Sequence, residues 1–357
     1  MKKLFLCLAG AAAALTLNAK VWRVNYDENA QADFKTIKEA CSTTLVSDGD
    51  TLYMEPGLHY GAEADNTISR PLTILGPGWG FQANNGAISA VPTATFTNTI
   101  RIYSSNVNVI GITTSGYISI DRGGLNIRVE RCKVHYTISM SFSGLVANLI
   151  IRNNICNYIG ISNGSLQTPV VIENNIVFDD ILASASYNGN HIFIRHNTVY
   201  GTISQGSYRT VYDNIIFYDG NYTKPIDFSK TYDNYRFYNN VLPISQTAYD
   251  NDQTSVSPVG YSNYADNIFA GATFANTCTD SIAGIWFDDA MRYQVRSDSP
   301  AKNAATDGTD CGAFGGEHPF VLYGRPEGIP YIYDVEVPAY PTDNKLNISF
   351  KVAGQNE

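Results

Sequence analysis

One six-residue motif recurs along the middle of the chain at a nearly constant step, and this recurrence constrains the fold more than any other feature. It appears as Val129-Glu130-Arg131-Cys132-Lys133-Val134 and as Ile151-Arg152-Asn153-Asn154-Ile155-Cys156. Ile172-Glu173-Asn174-Asn175-Ile176-Val177 and Ile194-Arg195-His196-Asn197-Thr198-Val199 follow. Val211-Tyr212-Asp213-Asn214-Ile215-Ile216 and Phe237-Tyr238-Asn239-Asn240-Val241-Leu242 complete the series. Upstream, Val109-Ile110-Gly111-Ile112 fits if Gly111 takes the Asn position. The steps from Gly111 are then 21, 22, 21, 22, 17 and 26 residues. A period near 22 is the mark of a solenoid, whose units bury their apolar faces only by stacking. Short β-branched runs flank each polar Asn without helical periodicity, and the leucine spacing of leucine-rich repeats is absent. The spacing therefore predicts an all-β chain, a right-handed, single-stranded parallel β-helix with coils of about 22 residues. Successive coils would rise by one strand spacing, ~4.8 Å. Asn154, Asn175, Asn197 and Asn214 are expected to stack as a hydrogen-bonded ladder. They are also expected to take the left-handed conformation that Asn tolerates at a sharp bend.

The ends of a solenoid need covers. Phe34, Ile37, Ala40, Cys41 and Leu45 fall at helical spacing and predict an N-terminal helical cap. Asp48-Gly49-Asp50 then turns into the strand Thr51-Leu52-Tyr53, which Pro56-Gly57 ends. Residues 76–92, rich in Gly, Asn and Pro, break the repeat as a long loop, and residues 243–290 are irregular. The tail holds two alternating strands, residues 331–337 and 346–352, as a C-terminal strand extension lying along the coils or forming a small sheet of its own. At the other end, Lys2 and Lys3 precede an apolar run over residues 4–17, with Ala19 as a small residue for cleavage. These are the parts of a secretory leader, too short for a span of ~20 residues. The expected organisation is a signal peptide over 1–19, a β-helix domain over 20–318 and a β extension over 319–357. The mature protein is expected to be secreted, periplasmic or at the cell surface, with no membrane span.

Composition narrows the partners. The chain has 357 residues, 24 of them Tyr, and charged residues make up 16%. The formal net charge of -9 disfavours nucleic acid, which calls for a basic face. Cys41, Cys132, Cys156, Cys278 and Cys311 follow the leader. Their odd number prevents full internal pairing, and their spacing matches no zinc motif. They read as small buried core residues, with Cys132–Cys156 or Cys278–Cys311 as candidate disulfides.

The opening Phe34-Lys35-Thr36-Ile37-Lys38-Glu39-Ala40, with Asp48-Gly49-Asp50-Thr51-Leu52-Tyr53 and Pro56-Gly57, resembles the start of secreted right-handed β-helix proteins of the pectate lyase-like superfamily. Pro71-Leu72-Thr73-Ile74-Leu75-Gly76 is similar to their second coil. Ser299-Pro300-Ala301-Lys302-Asn303-Ala304 with Asp310-Cys311-Gly312-Ala313-Phe314-Gly315-Gly316 resembles their terminal coil. Gly328-Ile329-Pro330-Tyr331-Ile332-Tyr333 looks like the C-terminal part of many such proteins from gut-type Gram-negative bacteria. The resemblance implies the fold. It leaves the function open among polysaccharide lyases, glycoside hydrolases, pectin esterases, tailspikes and non-catalytic surface proteins.

Candidate chemistry lies in side-chain columns that repeat once per coil. Two residues before each Asn stand Glu130, Arg152, Glu173, Arg195 and Tyr212. Their alternating signs predict an ion-pair ladder, and the same residues suit a uronate polymer, whose carboxylates Arg152 or Arg195 could grip bidentately. Lyase chemistry removes a proton beside a carboxylate. The resemblance implies Arg or Lys as its base, often with calcium. Arg152, Arg195 and Glu173 are thus the candidate catalytic residues, and Glu130, Tyr136, Tyr158 and Tyr212 the candidate substrate contacts. Hydrolysis is disfavoured, because Arg152 between Glu130 and Glu173 keeps both ionised, whereas a general acid needs a raised pKa. Calcium is the one cofactor weighed, at Asp179 and Asp180. Their column neighbours Gly201 and Thr202 add no carboxylate, and Asp219 is two coils from Asp180. The triple-Asp pattern of polygalacturonase-like hydrolases and the paired Asp with Arg of pectin esterases are absent. His196 and Asp213 share a column and could bond, with no Ser to complete a triad. Tyr136 and Tyr158 are expected to share another column, with Tyr218 further along, beside an aromatic column of His135, Phe178, Tyr200 and Phe217. An exposed tyrosine stripe would suit sugar rings. Two functions compete: binding or cleavage of a polysaccharide or surface glycan, and a non-catalytic, adhesin-like surface solenoid. A fully paired charge ladder would favour the second.

Overall fold

The computed structural model describes residues 19–79, 93–141, 144–186, 192–203, 206–217, 235–242, 267–269, 277, 293–324, 326, 331–336, 345 and 349–353. The expected leader, most of the loop over 76–92, nearly all of 243–290, and Cys278, Tyr218 and Asp219 lie outside them.

The described chain winds as a parallel β-helix with three faces. The first face stacks Val21–Val24, Thr51–Met54, Thr73–Leu75, Val107–Ile110, Leu125–Glu130 and Leu145–Arg152 in parallel register. Val170–Glu173, Ile192–Arg195, Arg209–Tyr212 and Arg236–Tyr238 continue it. The second face is short, with two-residue rungs such as Ile176–Val177, Thr198–Val199 and Ile215–Ile216. The third face carries Ile100–Ile102 and Ile118–Ile120. The long strands Lys133–Ser141 and Ile155–Leu166 then bend from the second face onto the third, and Ile181–Ser186 follows. Alternation of β-branched and polar residues sets which side chains point inward. Val109, Val129, Ile151, Ile172, Ile194, Val211 and Phe237 stack in one buried column, and Ile102, Ile120, Met140, Ile161 and Ala183 in another. Burying each Val or Ile contributes about 1.5–3 kcal/mol.

The asparagine ladder is present, and it is longer than expected. Asn175 Oδ1 accepts from Asn154 N and Nδ2, both at 3.0 Å. Asn197, Asn214, Asn240 and Asn267 repeat the arrangement, and Asn154 Oδ1 receives Cys132 N. The bend itself sits one residue earlier than the sequence suggested. Arg131, Asn153, Asn174, His196, Asp213 and Asn239 carry the positive φ, at 49–57°. Gly111, φ 67°, belongs to that column, because Ile110 pairs with Glu130, so Ile112 takes the ladder position. The bend residue turns the backbone, and the next Asn ties one coil to the following one. A second, exposed ladder lies at the entry to the first face. Asn148 donates to Asn126, and Asn126 to Asn106, each at 2.7 Å, all three with φ above 50°.

The N-terminal cap is a short helix, α1 (Ile37–Ser42), that seats Ile37 and Ala40 on the first coil. Thr36 Oγ1 accepts from Glu39 N at 3.1 Å, and the Glu39 carboxylate accepts from Lys35 N at 2.8 Å. Together these bonds satisfy the helix start. Leu45 lies beyond the helix and is exposed. Buried Asp50 ties down the first strand, accepting from Lys20 N, Trp22 Nε1 and Ser47 N at 2.8 Å each. Burial raises this carboxyl, but the bonds outweigh it and hold it below the usual range.

The C-terminal region departs from the reading of residues 299–316 as a last coil. Among the described residues it adds no rung and forms a strap that runs back along the outside of the bend column. Asn239 Nδ2 holds Ala304 O at 2.7 Å, and Asp213 accepts from Thr306 N and Oγ1 at 2.9 and 2.6 Å. Asn174 Nδ2 holds Ala313 O and Gly315 O, and Asn153 binds His318 O and Val321 N. The strap covers the outward apolar side chains of the second face. Ile155 and Ile176 cluster with Trp79, Tyr293, Ala313 and Phe320, and Ile215 and Val241 with Ala301 and Cys311. The two tail strands, Tyr331–Glu336 and Ser349–Ala353, form an antiparallel sheet of their own.

Neither candidate disulfide is formed: Cys41, Cys132, Cys156 and Cys311 are free thiols. Cys132 occupies the ladder column above Asn154, whereas Cys156 pairs in register with Val134. Burial pushes the Cys132 thiol up to about 12, and raises those of Cys156 and Cys311 as well.

Candidate functional site

The structure separates the candidate residues into two places. Glu130, Arg152, Glu173, Arg195 and Tyr212 form one column on the outside of the first face, in register from coil to coil. The column is paired throughout. Arg152 Nε bonds Glu130, and its Nη1 lies 3.7 Å from Glu173 Oε1. Arg195 Nη2 meets Glu173 Oε2 at 2.7 Å, and Arg195 Nη1 donates to Tyr212 OH at 3.0 Å. The side chains of Glu130 and Glu173 are only 7% and 5% exposed, that of Arg152 17%. Burial alone would lower the Arg195 pKa, but Tyr212 and Glu173 raise it above the ordinary value. Tyr212 then stacks on Tyr238 at 5.2 Å with the rings nearly parallel. Breaking one partner out of such a buried network strands the other charge, so these arginines stay with their own glutamates.

Tyr136 and Tyr158 lie on the third face, away from this ladder. They do not share a column. A bulge between Val134 and Thr137 brings Thr137, not Tyr136, opposite Tyr158. The extra residue swings Tyr136 outward, where it stacks on Tyr117 of the preceding coil, centroids 5.4 Å apart and planes 17° from parallel. Both rings are open to solvent, Tyr136 at 53% and Tyr117 at 44%. Tyr158 lies against its own strand, over Gly160. A Cβ on Gly160 would sit 2.6 Å from the Tyr158 ring, so the absent side chain is what lets the ring lie down. Ser119, Ser139 and Gly160 stand in one register column beside the tyrosines, and form a lane of small side chains across three coils. At one end of the lane Arg101 pairs with Glu63 at 2.5 Å and Asp121 at 3.2 Å, and donates to Tyr103 OH at 3.0 Å. Ser119 Oγ donates to Asp121 at 2.6 Å. At the other end, Asp179 and Asp180 raise the Tyr158 phenol pKa, after burial as the larger cause. Tyr117 escaped the sequence reading because it stands six residues past Gly111, whereas Tyr136 and Tyr158 stand four past Cys132 and Asn154.

The remaining candidates are structural. Asp180 Oδ1 accepts from Thr202 N and Oγ1 at 2.6 and 2.9 Å, which closes a turn. Among the described residues no three His, Cys, Asp or Glu side chains are grouped to hold a metal. His196 Nε2 lies 3.6 Å from Asp213 Oδ2 and 3.5 Å from Asp307 Oδ2, beneath the strap at Gly316. Burial lowers the His196 pKa, and Asp213 and Asp307 only partly restore it. Phe178, Tyr200 and Phe217 stack under the strap with Tyr293 against them, and His135 is exposed. No helix among the described residues is long and apolar enough to cross a membrane.

Compared with known proteins, the chain matches no family model and no curated relative.

Proposed function

We propose that this protein binds a polysaccharide along the third face of the β-helix, with Tyr117, Tyr136 and Tyr158 as stacking platforms and the Ser119–Ser139–Gly160 lane as the floor. The observation that carries the reading is the exposed Tyr117–Tyr136 stack; half-buried Tyr158 lies on the next coil, opposite Thr137. Exposed parallel aromatic rings are costly to leave in water, and they suit the apolar faces of sugar rings. Tyrosine supplies large, rigid, amphipathic contact area at small entropic cost. The resemblance of the opening coils to secreted β-helix proteins supports a glycan partner, and the leader-like first residues support a place outside the cytoplasm.

The fully paired Glu–Arg column is the outcome expected for a non-catalytic surface solenoid and speaks against a glycan groove on the first face, which leaves the third face as the surface for a ligand. Binding is favoured over cleavage. A uronate lyase acting through Arg152 or Arg195 would have to pull them from Glu130 and Glu173. The test is affinity electrophoresis of the protein through gels containing polysaccharides, with reducing ends and unsaturated uronates read in parallel. Retardation is expected with at least one polymer, reduced at least ten-fold in affinity by Tyr117→Ala with Tyr136→Ala. Retardation that survives this double substitution would move the site elsewhere, and release of unsaturated products would reinstate a lyase.

A further inference from the structure

We infer that the tyrosine lane selects an uncharged glycan and excludes polyanionic ones, a deepening that rests on the binding role just proposed. The argument is the charge that borders the lane. Glu63 and Asp121 stand at one end; at the other, Ile159 pairs in register with Ile181, which sets Asp180 next to Tyr158 on the following coil with Asp179 before it. These carboxylates outnumber the nearby cations Arg101 and Arg122. Arg101 is shared between Glu63, Asp121 and Tyr103, and Arg122 lies over the Tyr103 ring at 5.5 Å. Among the described residues, a uronate or sulfated chain seated on Tyr117 and Tyr136 would pass these acids with only Arg101, already shared, and Arg122, over the Tyr103 ring, to meet its own charges. Like charges facing each other without pairing cost affinity and suppress wrong partners.

The floor points the same way. Ser119 and Ser139 offer hydroxyls, and the Tyr117, Tyr136 and Tyr158 phenols offer both donor and acceptor. That inventory pairs with sugar hydroxyls. It lacks the planar, bidentate cation that recognises a carboxylate. The arginines able to do so on the first face, Arg152 and Arg195, are on another side of the coil and already engaged. The net charge of -9 adds long-range repulsion of any polyanion.

The experiment uses the full chain and matched polymers. Neutral glucans, galactans and dextran are each compared with a carboxylated form of the same backbone, by affinity electrophoresis at low and at high salt. The expected result is retardation by a neutral polymer, with affinity for its carboxylated form at least ten-fold lower at low salt. The gap should narrow at high salt as the charges are screened. Asp121→Asn with Asp179→Asn should raise affinity for the carboxylated form relative to the neutral one several-fold. Equal or tighter binding of the carboxylated form would overturn this inference. It would leave the lane as the site if Tyr117→Ala with Tyr136→Ala still abolished binding. An unchanged preference in the Asp121→Asn, Asp179→Asn variant would overturn it as well. Silence with every neutral and acidic polymer would overturn the binding role itself.

Discussion

Replacing Asn175 with Ala tests how the coils are held to one another. Asn175 Oδ1 is the acceptor for the buried Asn154 N–H, and Asn175 Nδ2 reaches Ile151 O, Glu173 O and Asn197 Oδ1 at 2.9–3.0 Å. Asn175 is fully buried and outside the left-handed region, so the substitution adds no backbone strain. It strands the Asn154 amide, at about 1–3 kcal/mol for a buried unpaired donor, and removes two side-chain donor bonds worth about 1 kcal/mol each. The expected loss is therefore about 4 kcal/mol, enough to shift a urea midpoint by roughly 1–4 M at the slopes usual for small proteins. Because solenoid coils couple mainly to their neighbours, the Asn154 amide should lose hydrogen-exchange protection more than the amides of Val24 or Leu52. The control is Asn148→Gly in the exposed ladder. It deletes the bond to Asn126 but relieves a backbone at φ 52°, so it should cost less than about 1 kcal/mol. If Asn175→Ala costs no more than Asn148→Gly, burial is not what gives the inner ladder its weight, and the reasoning fails.

Acid should loosen the strap through His196. Its folded-state pKa is held below the ordinary value by burial, against opposing pulls from Asp213 and Asp307 and with Arg195 adding to the depression. The folded protein therefore binds fewer protons here than the unfolded chain does. Its stability is complete above the unfolded value of ~6.5 and is lost as pH falls below it. His196→Asn, which copies the residue at Asn153, Asn174 and Asn239, should flatten the melting temperature between pH 7 and 5; an unchanged slope would assign the acid sensitivity to other groups. The thiols give a further check. Cys132, Cys156 and Cys311 should resist iodoacetamide in the native protein while half-buried Cys41 reacts first, and peptide mapping without reductant should find no Cys132–Cys156 link. Rapid alkylation of Cys132 would contradict its burial.

The parts of the fold that depend on period alone were legible. The coil length, the ladder from Asn154 to Asn214 and the alternating column from Glu130 to Tyr212 all follow from counting residues between like positions. What counting missed are the places where a coil gains a residue or where a position does two jobs. The doublets Asn153-Asn154, Asn174-Asn175 and Asn239-Asn240 carried the signal that two columns are present, one bending the backbone and one bridging coils, and the bridging residue alone was credited with both. Tyr136 and Tyr158 stand at the same offset from Cys132 and Asn154, so a constant step places them together. The bulge after Val134 separates them, and nothing in the motif announces it. The strap was hidden for another reason. Its contacts join residues 299–326 to coils 65 to 168 positions away, and no local pattern reports pairings of that range.

That strap also bears on why the proposed glycan site falls on the third face. The bend column spends Asn153, Asn174, Asp213 and Asn239 on holding the strap, and the strap in turn seals the second face with Trp79, Ala313 and Phe320. The polar column of the first face spends its charges on itself, since each Glu–Arg contact is satisfied by the coil above or below. A buried, self-neutralised network of this kind is weak as a source of stability and has little left for a ligand. On the third face the two exposed rings are not used up in this way. Among the described residues Tyr117 and Tyr136 have only each other as ring partners, and the serines beside them leave the sheet low. Three successive coils thus each carry a tyrosine and a small residue, the small ones in register at one strand spacing, ~4.8 Å, and Tyr136 displaced outward by the bulge. A linear polymer aligned with the helix axis can meet such a row unit after unit, whereas a compact ligand would use one rung and leave the others exposed.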